Sequence, residues 1–373
     1  MKLFLAIASV TSLLLAVGLP RAGAIENGTR EKPQQTNLKP GEYVWEPQAS
    51  PTGSVDIVIS LGEQKLYVYR DGVQIGRSTI SSGSKGRETP KGIYMILEKN
   101  LTHHSNKYHE ASMPYMERLT WGGLAVHAGN TPGHPESHGC VHVPMGFAKQ
   151  LYTTTQEGNT VLIADRNGKP RTTSDPNLLF AVAPGDSPAP EASPAASPEA
   201  SPEPSSTPTA SPAPGSPAPD ASLPAPPAAD ASAPGSPPPD ASPAPAPTPA
   251  FLWDPKKVPS GPLTIAFSSA DKRVYVYRKG VEIGRAELSG PDAGKSFGNY
   301  VYVALAQTLP DGSHQWSLLG SVDGPPSLNL QAFANSSTLP AEFRQRMREI
   351  IVPGTTLVIT DHPANPSKPS NPD

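Results

Sequence analysis

Val55 to Ser60 reads Val-Asp-Ile-Val-Ile-Ser, and Lys65 to Arg70 reads Lys-Leu-Tyr-Val-Tyr-Arg. Both alternate apolar and polar positions with period two, the pattern of strands with one buried face. Asp71-Gly72 predicts a hairpin turn into Val73–Arg77; Ser78 to Ser81 carries the β pattern on to a loop with Gly83 and Gly86. Thr89-Pro90-Lys91-Gly92 punctuates the chain before a strand from Ile93 to Leu97. After Pro144, the residues Phe147, Ala148, Leu151 and Tyr152 fall on one helical face, which predicts a short helix. Gly158 stops it before a strand from Thr160 to Ala164. Strands at this spacing predict a mainly β domain over residues 55–165, with residues 25–54 as an extended lead-in. Asn100 to Arg118 is polar, carries His103, His104 and His109, and reads as a long loop of a kind that a structured domain seldom keeps without a use.

The pattern then recurs. Val274 to Arg285 parallels Leu66 to Arg77, Thr356 to Asp361 parallels Thr160 to Asp165, and a helix is predicted from Pro340 to Ile350 before that last strand. Residues 251–362 therefore read as a second copy of the first domain. Between the copies, residues 166–250 are expected to form a disordered linker, since their Pro, Ala, Ser and Asp repeats cannot bury enough apolar surface to offset chain entropy. Proline makes such a segment a semi-extended spacer. Residues 363–373 are expected to be a disordered tail.

Composition supports this division: 48 prolines and 36% hydrophobic residues in 373 describe two small domains and a segment without a core. A net charge of −3 provides no basic field for nucleic acid. Residues 1–24, with Lys2, an apolar run from Leu3 to Leu19 and Ala22-Gly23-Ala24, read as a signal peptide. Cleavage would leave a chain starting near Ile25, with no stable membrane insertion, in the periplasm or cell envelope. An uncleaved anchor helix is the alternative, the run being close to spanning length. A monomer is expected.

Export changes the meaning of Cys140, the single cysteine. Oxidising compartments favour paired cysteines, so a lone one outside the cytoplasm points to a reactive thiol. Its surroundings, from Val126 to Pro144, hold four of the nine histidines: His127, His134, His138 and His142. A thiol needs a base or a positive charge to act as a nucleophile near neutrality, and glycine beside it lets backbone N–H groups converge on an oxyanion.

His127, Gly129, Gly133, Ser137, His138, Gly139, Cys140 and Val141 resemble the signature of the L,D-transpeptidase catalytic-domain family. The likeness extends through Leu66-Tyr67-Val68-Tyr69, Thr89-Pro90-Lys91-Gly92 and Met113-Pro114-Tyr115-Met116, over roughly residues 40–165. It implies a β-sandwich-like catalytic fold with a short helix, and makes the second copy, which lacks a nucleophile segment near Ser327 to Gln331, a degenerate relative. It also implies that Cys140 is the nucleophile and His127 the base, with the Ala128 carbonyl as its orienter. Gly139 and Cys140 N–H groups would form the oxyanion hole, Ser137 and His138 being carried over as motif residues. Residues 100–118 would flank the substrate groove, with Tyr115, Met116 and His142 as substrate-binding candidates. His142 stands where the family has an arginine. The implied reaction attacks the peptide bond after the L-centre of a peptidoglycan stem tetrapeptide, releases D-Ala and passes the acyl group to an amine, without a cofactor. The acceptor is left open among a second stem peptide, a lysine of an envelope protein and a free D-amino acid.

Three alternatives stand beside this. Water in place of the amine gives an L,D-carboxypeptidase, and the paired domains could serve a non-catalytic wall-binding or spacer protein. If residues 137–143 were extended, His138, Cys140 and His142 would share a face as metal ligands with His134 nearby. Two shorter motifs read as turns: Ser82-Gly83-Ser84-Lys85 has no Lys-Thr-Gly partner, and Gly290 to Ser296 falls one residue short of a phosphate-binding loop.

Overall fold

The computed structural model describes residues 37–106, 110–166, 170–181, 250–323 and 329–364. The expected signal peptide, residues 182–249 of the expected linker, His109 and the tail beyond Ala364 lie outside them. In chain order the first domain has β1 (Tyr43–Trp45), β2 (Val55–Ser60), β3 (Lys65–Arg70), β4 (Val73–Thr79), β5 (Gly92–Met95), β6 (Glu98–His104), β7 (Ser112–Arg118), β8 (Ala125–Ala128), β9 (Val141–Val143), α1 (Met145–Thr154) and β10 (Thr160–Ala164). One sheet runs β1-β4-β3-β2-β10-β5 and a smaller one β6-β7-β8-β9. Because β10 lies parallel to β2, a crossover is obligatory, and the smaller sheet and α1 are inserted in it. The core fills the space between: Ile57, Ile59, Leu66 and Val68 from the frame meet Val126, Val141, Phe147 and Leu151.

Two expectations change here. The lead-in contributes β1, an edge strand whose Trp45 ring meets Phe147 edge-on at 5.5 Å. Residue 76 is glycine because a Cβ there would stand 2.5 Å from the Trp45 ring. Residues 100–118 are no loop: β6 and β7 form an antiparallel hairpin. Its β6 face is polar and largely open, with Leu101 half exposed, so period two carries no apolar signal.

The second domain has β11 (Arg171–Thr173), β12 (Phe251–Trp253), β13 (Leu263–Ser268), β14 (Arg273–Arg278), β15 (Val281–Glu287), β16 (Tyr300–Thr308), β17 (His314–Ser321), α2 (Leu330–Ser336), α3 (Ala341–Ile350) and β18 (Thr356–Thr360). Its sheet, β11-β17-β16-β18-β13-β14-β15-β12, repeats the first frame, down to the bulge at Val276/Tyr277 that matches Val68/Tyr69. Trp253 meets Phe343 edge-on at 5.5 Å over Gly284, as Trp45 meets Phe147 over Gly76. The expected linker starts too early. Residues 171–173 pair with β17, and the 3-10 turn Asp175–Phe180 buries Leu179 and Phe180 in the second core, while Asn177 accepts from the Trp316 indole at 2.8 Å.

Described residues from Lys39 onward form one compact unit, and the two frames meet face to face. The contact is reciprocal. Val58, Tyr69 and Leu162 pack on Val301 and Val303, and their counterparts Ala266, Tyr277 and Val358 pack on Ile93 and Met95. An added Cβ at Gly158 would strike the Lys279-Gly280 turn, and one at Gly354 would strike Asp71 of the equivalent turn. Such a pairing of like patches is the geometry of a two-fold dimer, built here within one chain. It is imperfect where Asp56 and Val58 become Thr264 and Ala266. Thr356 donates to the buried Asp56 at 2.8 Å, whereas the Thr160 hydroxyl in the mirrored position is buried without a partner, and a cavity of about 430 Å³ opens beside it. All six residues of β2 are consequently buried, Asp56 and Ser60 included, although its pattern predicts one wet face. Among the described residues no helix is long and apolar enough to cross a membrane.

Candidate active site

The small sheet alternates cleanly. Val126 and Ala128 of β8 and Val141 and Val143 of β9 face the core, which turns Ala125, His127 and His142 to the other side. β8 and β9 run parallel with His127 opposite His142, their rings meeting edge-on at 4.7 Å. The same register sets Cys140, the residue before β9, beside Ala125. A cavity of about 290 Å³ opens on this face, and Cys140, His127, His138 and His142 all line it.

The loop that delivers Cys140 is tied on every side. Ser137 is buried; its hydroxyl donates to the Cys140 carbonyl and accepts from the Gly139 N–H at 3.1 Å. The Thr89 hydroxyl donates to the Gly139 carbonyl at 2.7 Å, and Gly139 turns at φ 117°, a conformation other residues rarely adopt. The backbone of residues 81–84 brackets the same loop: Ser81 exchanges two bonds with His142, Ser82 O accepts from Ser137 N, and Ser84 N donates to Ser137 O. The Ser82–Lys85 motif therefore scaffolds the Cys140 loop. Gly129 is open because His142 lies against it; a Cβ there would stand 2.6 Å from the imidazole.

His127 is buried, and its Nδ1 lies 2.9 Å from the Ala128 carbonyl. A carbonyl only accepts, so the proton sits on Nδ1 and Nε2 is the acceptor. Burial pushes this imidazole down to about 4, with His142 adding to the effect and the Ala128 bond opposing it. Burial likewise lowers His142, helped by His138 and opposed by the Asn130 carbonyl and Glu136. The Cys140 thiol, 3.5 Å from the Gly123 carbonyl, is raised by burial, with the Ala125 backbone and the Arg118 charge working the other way. The resting pair is thus a thiol and a neutral imidazole.

Several expected positions are corrected. Met116 has no exposed surface and lies with Met113 and Ala125 in the apolar floor against which Cys140 packs. Tyr115 packs edge-on against Tyr152 of α1 at 5.7 Å. Neither lines the cavity, since strand alternation turns them into the floor and the helix contact. Ser137 and Gly139 do not line it either, and the Gly139 N–H is already bonded to Ser137, which removes it from the expected oxyanion hole. His134 is exposed and outside the cavity, and among the described residues no three His, Cys, Asp or Glu side chains converge as around a metal ion. Sequence reading missed Arg118, Trp121 and Met113, which do line the cavity.

Behind the sheet, Glu117 points away from the cavity and accepts from Thr155 at the end of α1, while Lys99 donates to the Tyr152 carbonyl at 2.5 Å and the Thr155 carbonyl at 2.6 Å. This buried cluster pins the helix to the hairpin. Burial raises Glu117 to about 7, eased by Thr155 and Lys99.

Residues 54–163 match the family model of the L,D-transpeptidase catalytic domain. Among solved structures, an L,D-transpeptidase from Stackebrandtia nassauensis is 29% identical, with 30% of this chain and 56% of that one covered at a TM-score of 0.28. One from Xylanimonas cellulosilytica is 28% identical, covering 30% and 61% at 0.27, and one from Mycobacterium tuberculosis 25% identical, covering 30% and 57% at 0.29. The chain thus spans well under two thirds of these structures' own length. No curated protein matches the chain.

Proposed function

We propose that the protein is a peptidoglycan L,D-transpeptidase of the cell envelope, with Cys140 as nucleophile and His127 as base. The observation that carries this reading is the shared cavity of Cys140 and His127 in a domain that matches that family's model, with the His127 tautomer fixed so that Nε2 can accept a proton. Substrate entry would bring the acyl carbonyl onto Sγ. The thiol proton passes to His127 as the C–S bond forms, and the imidazolium then protonates the departing D-Ala nitrogen as the C–N bond breaks. An acceptor amine attacks the thioester carbonyl, gives its proton to His127 and expels Cys140. The Cys140 N–H remains as the backbone donor for the oxyanion. His142, lowered by burial, orients the donor, and His138 lines the same cavity. Hydrolysis would use the same residues with water as acceptor.

The test is product analysis of muropeptides incubated with the purified protein. Release of D-Ala with a cross-linked dimer supports transfer, release with a tripeptide alone indicates the carboxypeptidase, and absence of both, with no acylation of Cys140 by a carbapenem, refutes the enzyme.

A further inference from the structure

Across the small sheet one row of residues reads Glu98, Arg118, Ala125, Cys140: Glu98 is opposite Arg118, Arg118 opposite Ala125, and Ala125 beside Cys140. With strands ~4.8 Å apart, the Arg118 backbone stands ~10 Å from that of the nucleophile. Met116 is two residues along β7, so Arg118 rises from the same face, and it lines the cavity. Its Nε donates to Glu98 Oε2 at 2.8 Å, which ties the side chain to β6. Among the described residues lining the cavity it is the one permanent charge; the other titratable ones there are the histidines His103, His127, His138 and His142 and the thiol. His103 is lowered by burial and by Arg118 itself.

Resting on the transpeptidase reading, we infer that Arg118 binds the α-carboxylate of the residue that leaves, and so restricts the donor to stems ending one residue past the scissile bond. A carbonyl carbon held at Cys140 puts a carboxylate one residue on, ~3.5 Å of chain further, within the ~10 Å that separates the two backbones. A longer stem would place an uncharged amide there. The His142 ring, in the position next to the base, is lowered by burial and stacks edge-on against His127, so it is poorly placed to pair with that carboxylate.

The experiment measures kcat and KM for release from three donors by the full chain: a tetrapeptide with a free terminal carboxylate, the same peptide amidated at that terminus, and one amidated instead on the side-chain carboxylate of the third residue. Terminal amidation should raise KM by about tenfold to a hundredfold, the range for one hydrogen-bonded charge, and side-chain amidation should not. Arg118→Gln should produce the same rise on the free acid, and the two changes together should cost hardly more than either alone. Arg118→Lys, which keeps the charge, should restore part of the preference for the free acid and guards against misfolding of the Gln variant. Additive losses from Arg118→Gln and terminal amidation would overturn the inference alone, as would a preference governed by the side-chain carboxylate. No release from any donor by the wild-type chain would instead remove the functional reading on which it rests.

Discussion

The two domains share a frame and differ in what is inserted in it. Ser289 pairs with Thr338 as Ser81 pairs with His142, and Pro340 begins α3 as Pro144 begins α1. Counting back from these anchors puts Ser336 at the position of Cys140. Yet Ser336 ends α2 and bonds to the Phe333 carbonyl, and among the described residues the second domain has no equivalent of the β6-β7-β8-β9 sheet; β16 turns directly into β17. A hydroxyl in register is therefore not a site. The frame supplies the fold, while the small sheet supplies the imidazole, the apolar floor under the thiol and the guanidinium.

The largest way to sharpen that contrast is Cys140→Ser, which should abolish acylation and turnover, while Ser336→Ala changes neither; intact-protein mass after carbapenem exposure reads both. Turnover by the Cys140→Ser chain would return catalysis to some other group. Next, His127→Ala should lower kcat/KM by about 10²–10⁴-fold with an unchanged melting temperature. A larger loss from His138→Ala would move the base to that ring.

Equivalent core lesions probe whether the frames fold as one. Phe147→Ala and Phe343→Ala each remove a fully buried ring set against a tryptophan and should cost about 3–5 kcal/mol. Since the domains bury each other's outer faces, calorimetry should show a single transition displaced in both variants. Two separated transitions, with only one moved by each lesion, would mean that the interface contributes little.

The smallest effect belongs to Asp56. Buried beneath the second domain, its carboxyl is raised from the ordinary 3.8 to about 7 by burial, against the Thr356 bond. The docked state therefore keeps a proton that the separated or unfolded chain releases near 3.8. Stability from this group is complete below about pH 4, declines as pH rises towards 7, and is then constant. Urea midpoints between pH 4 and 8 should carry a larger downward contribution in the wild type than in Asp56→Asn, Glu117 adding its own decline to both; equal slopes would acquit Asp56.

The frame was legible because its strands alternate, and the second copy was legible because Val274–Arg285 repeats that alternation residue by residue. The hairpin β6–β7 was hidden by its polar outer face. Residues 171–180 were hidden because their few apolar side chains, Leu178 to Phe180, adjoin a proline-rich stretch, and only the second core gives them a place. Cys140 and His127 could be found from local spacing. Arg118 could not, because what brings it to the thiol is strand register across β7, β8 and β9, a relation that no window of sequence contains.

The strand β11 and the turn after it alter what residues 182–249 connect. Residues Arg171 to Ala181 and the described chain from Ala250 onward both belong to the second domain. The long segment is thus an insertion whose two ends lie in the same body, and its length places no limit on how the domains are joined. A protease nick anywhere within it should yield two polypeptides that still co-elute as one particle, complementing fragments held by β11 on the edge of β17 and by Leu179 and Phe180 in the core. The cut that could free the catalytic half from its partner lies in the few residues between Asp165 and Arg171.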